Sequence, residues 1–172
     1  MEIDQAERML DAAAGLFAEQ GVEAVGMGEI ARAAGCSRAT LYRYFEDRHA
    51  LHRAFIRRAA RDIGVRVAVE TAPVREPAER LTAAILTAVR LVRESPELVA
   101  WFGRADAGTT AELALSDEVI EGLGLRAAGD ADTAQWLVRV IVSLLIVPGR
   151  DEADERALLE RYVVPGVLDG RR

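Results

Sequence analysis

Residues 30–45 read IARAAGCSRATLYRYF, two short helical segments separated by a glycine. The first is compact and Ala-rich, and Gly35, free to adopt positive φ, can end it. Ser37 stands as N-cap of the second. That second segment carries Arg38, Thr40, Tyr42, Arg43 and Tyr44, all able to donate hydrogen bonds, while Leu41 and Phe45, one turn apart, can anchor it to a core. A short glycine-containing turn ahead of such a helix is the helix-turn-helix pattern, whose second helix lies in the DNA major groove. Arg38 opens that helix, where its guanidinium can reach a guanine edge or a phosphate. Arg43 can either select sequence or add charge.

Outward from this stretch the periodicity stays helical. Ile3, Ala6, Met9, Leu10, Ala13, Leu16 and Phe17 form an amphipathic first helix that stops near Gly21. Met27 to Ala34 is the short second helix and Arg38 to Phe45 the third. From about Asp47 a long fourth helix puts Leu51, Phe55, Ala59, Ile63 and Val67 on one face. Two prolines in the stretch from Pro73 to Pro77 read as a linker. A fifth helix follows to Ser95, a sixth from Pro96 to Ala107-Gly108, and a seventh capped by Thr109 or Thr110. An eighth runs from Asp130 to Val147, and a ninth, capped by Asp151, ends near Val164 ahead of Pro165. No stretch alternates long enough for a strand, so the fold is expected to be all-α.

Three segments carry a more specific likeness: ERMLDAAAGLFAEQG (7–21), the stretch at 30–45, and EDRHAL (46–51). With Gly21, Ile30-Ala31, Ala34-Gly35, Ser37, Thr40-Leu41-Tyr42, Phe45 and Arg48 at the expected spacing, residues 6 to 55 resemble the N-terminal region of the TetR/AcrR family of bacterial transcriptional regulators. The resemblance implies an N-terminal three-helix DNA-binding domain (1–47) joined by a long helix to a C-terminal helical ligand-binding and dimerisation domain (48–172). It implies base or backbone contacts from Thr40 and Tyr42 and phosphate contacts from Tyr44 and Arg48, beside Ser37, Arg38 and Arg43. The chain departs from the family pattern at Gly26-Met27-Gly28, where a hydroxyl residue usually caps the second helix, and at Cys36, where a small apolar residue is usual.

The eighth helix is apolar on nearly every side, so something must cover it all round. Either its own C-terminal neighbours do so, or a second subunit does. The resemblance favours the second, through the last two helices, with Trp136, Val140, Ile141, Leu144, Leu145, Leu158 and Tyr162 as the candidate homodimer interface. For an effector, Trp101 and Phe102 are the only adjacent aromatics of the C-terminal region. With Leu86, Val89, Arg90 and Arg104 in neighbouring helices they suit a small apolar molecule. A filled core with the arginines in solvent is the plain alternative.

Composition narrows the function classes. All 22 basic residues are arginine against 28 acidic ones, a net charge of −6 that argues against a nonspecific nucleic-acid coat. Yet residues 30–61 hold eight arginines and only Glu46 and Asp47 as acids, a basic stripe suited to reading DNA on one face. One cysteine excludes an internal disulfide. The absence of a signal-peptide pattern and of a long apolar run points to a cytoplasmic protein without membrane association. Cys36 is a small hydrophobe by preference, and His49 and His52 lack a third ligand and read as ordinary surface residues of a helix, so neither metal nor cofactor is expected. No nucleophile elbow, phosphate loop or HExxH helix is present, so the chain is not expected to be an enzyme. The expected function is a sequence-specific regulator, a repressor released from a palindromic operator in double-stranded DNA by a small, largely apolar effector. An architectural or adaptor protein using the motif only for packing is the alternative.

Overall fold

In the computed structural model the described residues are 2–104, 116–125 and 129–169, with the side chains of 2–4, 103 and 104 left aside. Every regular element among them is helical. Helix α1 (Glu2–Gln20) buries Met9, Leu10, Ala13 and Phe17 and ends where Gly21, at φ 82°, turns the chain. A single 3-10 turn, Val22–Ala24, leads to α2 (Met27–Ala33). There Gly35 (φ 67°) closes the helix as the sequence indicates. Its N–H donates to the Arg32 carbonyl at 3.1 Å and that of Cys36 to Ala31 at 2.9 Å, the two bonds of a Schellman ending.

Helix α3 (Arg38–Tyr44) follows at once, its Thr40 N–H donating to the Ser37 hydroxyl at 3.0 Å. Asp47 caps the 24-residue α4 (Arg48–Thr71) by accepting from the Ala50 N–H at 2.6 Å, and at 1.5 Å per residue this rod is about 36 Å long. Pro77 is the first residue of α5 (Pro77–Arg93), capped by Glu76, so it opens a helix where the sequence suggested linker. Then come α6 (Pro96–Arg104) and α7 (Asp117–Gly122), the latter capped by Ser116. The expected cap at Thr109 or Thr110 lies outside the described residues. Asp130 caps α8 (Ala131–Ile146) and Asp151 caps α9 (Glu152–Leu158).

The chain does not stop at Pro165. A π turn, Leu159–Val163, joins α9 to α10 (Val164–Asp169) without leaving helical backbone. A proline has no N–H and collides with a carbonyl one turn back, but it is tolerated in a first turn, and the widened π ladder ahead of it supplies that relief.

One apolar core runs from Met9 and Phe17 in α1 to Val163 and Val167 at the far end. The N-terminal head therefore has no separate core. Its junction with the body is aromatic: Phe17 of α1 meets His52 and Phe55 of α4 at ring-centroid distances of 5.5 and 5.3 Å, and Trp101 of α6 meets His52 at 4.9 Å, all edge to face. His52, expected on the surface, is buried with its Nε2 unpartnered. Burial chiefly, with the positive Arg48 and His49 nearby, lowers its pKa to about 4.

Two further contacts fix the body. Helices α4 and α7 cross backbone to backbone, so that a Cβ added to Gly64 would stand 2.1 Å from the Gly122 carbonyl oxygen. At the other end the buried Glu155 carboxylate accepts from Arg93 at 2.6 and 3.0 Å and from the Gly149 N–H at 2.9 Å. Arg93 also donates to the Leu144 carbonyl at 2.9 Å, tying the ends of α5, α8 and α9 together.

Gly64→Ala is expected to lower stability by about 1–3 kcal/mol, the range for forced overpacking, and an unchanged urea midpoint would mean that α4 and α7 are not in this contact. The neutral His52 ring predicts a second effect. Its folded pKa lies below the unfolded value, so the unfolded chain takes up the proton first and stability falls as pH drops from about 6.5 towards 4. His52→Leu should flatten the denaturation midpoint across that window. A wild-type-like slope in the variant would assign the pH dependence elsewhere.

Candidate nucleic-acid interface

Leu41, fully buried, and Phe45 pin α3 to the head, which leaves Arg38, Ala39, Tyr42 and Arg43 on the outside. Ser37 and Thr40 share a hydrogen bond of 2.8 Å between their hydroxyls at the exposed start of the helix. The Arg38 side chain lies against α2: a Cβ built on Gly28 would stand 3.5 Å from Arg38 Nε. The glycine that weakens the first turn of α2 thus gives Arg38 a flat surface to rest on. The missing hydroxyl cap of α2 is partly replaced, because the Glu29 carboxylate accepts from the Gly26 N–H at 2.9 Å. Arg43 sits over the Tyr44 ring at 5.6 Å.

Tyr44 and Arg48 face a different task. The Tyr44 hydroxyl donates to Gln5 Oε1 at 3.2 Å, tying α3 to α1. Arg48 donates to the Val22 carbonyl at 2.7 Å and to that of Glu23 at 3.1 Å, with the Glu23 carboxylate 3.9 Å away. Its guanidinium thereby supplies donors to a turn in which the Val22 carbonyl otherwise accepts only a long bond of 3.4 Å from the Val25 N–H. Of the seven residues named from sequence, Ser37, Arg38, Tyr42 and Arg43 are exposed, Thr40 is half-buried beside Ser37, and Tyr44 and Arg48, also half-buried, bond to α1 and to the turn ahead of α2. Arg58 adds a third brace, to Glu7 at 3.0 Å and Asp11 at 2.7 Å on α1.

The candidate effector residues separate in the same way. Trp101 and Phe102 line a small apolar cavity with Ile56, Ile63, Val138 and Leu145. Leu86 and Val89 are buried but do not line it. Arg90 turns outward to Glu70 and to Glu94, the latter at 2.9 Å, and so belongs to a surface ion network rather than to the cavity. The side chain of Arg104 lies outside the described residues. A larger chamber of about 370 Å³ lies next to this one, between α4, α5, α8 and α10. Its sequence signal is the set of small residues Ala68, Ala72, Ala84 and Ala88, spaced one turn apart on facing helices, which leave space that larger side chains would fill.

Of the candidate interface residues, Trp136 (48 % exposed), Leu158 and Tyr162 (63 %) stand outward, with Val140 between them, along a groove formed by α8 and the π turn. Ile141 and Leu144 are buried and, with Leu145, pack into the subunit's own core. Both coverings foreseen for α8 therefore have a face to act on.

Residues 9–55 match the family model described as bacterial regulatory proteins, tetR family. An uncharacterized HTH-type transcriptional regulator of Mycobacterium tuberculosis is 48 % identical over 169 residues, covering 93 % of this chain and 84 % of its own. The fold is similar to that of RolR in complex with resorcinol, with a TM-score of 0.68, 22 % identity and coverage of 96 % of this chain and 92 % of RolR. It is also similar to the repressor AlkX from a Dietzia species, with a TM-score of 0.67, 20 % identity and coverage of 94 % and 97 %. Among the described residues no helix is long and apolar enough to cross a membrane.

The two classes of arginine predict opposite stability effects. Arg48→Ala removes the hydrogen bonds to the Val22 and Glu23 carbonyls and should cost about 1–3 kcal/mol, whereas Arg38→Ala and Arg43→Ala should stay within about 0.5 kcal/mol of wild type. Thermal melts of the three variants decide this, and a wild-type melting temperature for Arg48→Ala would refute the bracing role.

Proposed function

The chain belongs to the tetR family of bacterial regulatory proteins, DNA-binding transcriptional regulators, and from that premise we propose that it is a homodimeric repressor released from a palindromic operator by a small, largely apolar effector. The observation that carries this is the bare outer face of α3, with Arg38, Tyr42 and Arg43 unburied on a braced scaffold. A helix serving only to pack would not leave that face open, which counts against an architectural role. Arg38 and Arg43 suit guanine edges or phosphates, Tyr42, Thr40 and Ser37 the adjoining backbone. Tyr44 and Arg48 act mainly by holding α3 and the N-terminus of α4 in register. Residues 1–47 then read the DNA and 48–172 sense and dimerise, a division of labour laid over one continuous core.

Dimerisation is assigned to the outward groove of Trp136, Val140, Leu158 and Tyr162. Two copies of α3 then meet successive major grooves about 34–36 Å apart. Effector control needs a ligand with different affinity for the DNA-competent and incompetent states, a coupling of about 1–3 kcal/mol in typical cases. The path open to it runs from the cavity wall at Trp101 to Phe17 of α1, 6.3 Å between ring centroids. The fold relative that holds resorcinol fits a small-molecule effector.

Footprinting on the bound genomic site should show an inverted repeat with half-sites one helical turn apart. Arg38→Ala should relax base preference within each half-site. Trp136→Glu combined with Tyr162→Glu should sediment as a folded monomer and bind the operator weakly. A dimer that survives this double substitution would move the interface elsewhere, and an unaltered base preference in Arg38→Ala would remove that residue from readout.

A further inference from the structure

We propose that the chamber between α4, α5, α8 and α10 is the effector site and that it takes an amphipathic monoanion, an apolar body bearing one carboxylate or equivalent acid that pairs with Arg80. This rests on the effector-controlled reading above and gives its ligand a chemical class.

Four observations converge. The chamber, about 370 Å³, is of the size that small-molecule sites have. Its walls are mostly apolar, with Leu81, Ile85, Leu123, Ile141 and Val167 among them. The hydroxyl of Thr71, which also faces it, is spent on the Val67 carbonyl at 2.8 Å and has no proton left to offer. Among the described lining residues Arg80 is therefore the side-chain donor that remains. Its side chain makes no hydrogen bond or ion pair among the described residues, whereas Arg90 and Arg93 of the same helix each have a carboxylate partner. The acid one turn before it, Glu76, is committed to capping α5.

An unpaired guanidinium at the mouth of an apolar chamber discriminates by charge. It stabilises an acid by a charge-assisted hydrogen bond, is indifferent to an alcohol of the same length, and repels a cation. The inner end has its own consequence. The chamber shares Ala88, Leu123 and Ile141 with the smaller cavity that Trp101 lines. An apolar tail anchored by its acid at Arg80 therefore points at the ring that touches His52 and Phe17. Anchor and lever stand at opposite ends of one path.

The test uses decanoate, decanol and decyltrimethylammonium, three probes with the same chain and different heads, titrated calorimetrically into the full chain and, separately, into its operator complex. Decanoate should bind tightest and release the operator. Arg80→Gln should weaken decanoate by about tenfold and leave decanol unchanged. Arg80→Glu should reverse the order, favouring the cationic probe. Arg80 is exposed, so both variants should fold and keep operator affinity, and Ala84→Trp should fill the chamber and abolish binding of all three. If acid and alcohol bind alike and Arg80→Gln changes neither, the anionic class is overturned while effector control stands. If decanol releases the operator equally well from wild type and Ala84→Trp, the effector reading holds and the chamber is not the site. If no probe binds wild type, the site proposal fails, and effector control then rests on screening other chemistries against the operator complex.

Discussion

The structure depends on four rings, Phe17, His52, Phe55 and Trp101, contributed by α1, α4 and α6. A head of three short helices has too little apolar surface to stand by itself, and this one takes its remaining burial from the body. The rings supply that burial at the single place where the head, the long helix and the cavity wall coincide. The cost is a buried imidazole with an unsatisfied nitrogen, which must remain neutral for the junction to hold. Stability of the head and state of the cavity are thereby made to share the same atoms.

The same residue type does opposite work on the two sides of α3. Arg48 spends its donors on carbonyls of Val22 and Glu23, some 25 residues away in sequence, and Arg58 spends its own on Glu7 and Asp11. Those contacts tie α4 to α1 and to the turn ahead of α2, while Arg38 and Arg43 stay exposed. Gly28 contributes by what it lacks, leaving α2 flat under Arg38. A reading surface that stays open in the free protein is carried here by contacts made behind it.

What was legible in the sequence follows the range of the interaction. The helix ending at Gly35, the caps at Ser37 and Asp151 and the helix starts at Asp47 and Asp130 are decided within a few residues, and the structure has them where the pattern indicates. Arg48 matched a motif position, but its partners belong to a turn on another helix pair, which no local pattern reveals. His52 read as a surface residue because nothing near it in sequence announces that α1 and α6 close over it. Pro165 read as a stop because the π turn that accommodates it has no sequence signature of its own. Trp101 and Phe102 were found as aromatics, and the larger chamber was missed because a void is written in small residues on two helices at once.

The crossing of Gly64 and Gly122 has a mechanical side. Side-chain contacts such as Arg90 with Glu70 are soft, since a rotamer change absorbs a displacement before it reaches the backbone. Main chain against main chain has no such slack. Helix α7 borders both cavities through Leu123, and any shift imposed on it is handed to α4 undamped. The molecule is thus stiff along one line, from cavity to long helix, and compliant around it.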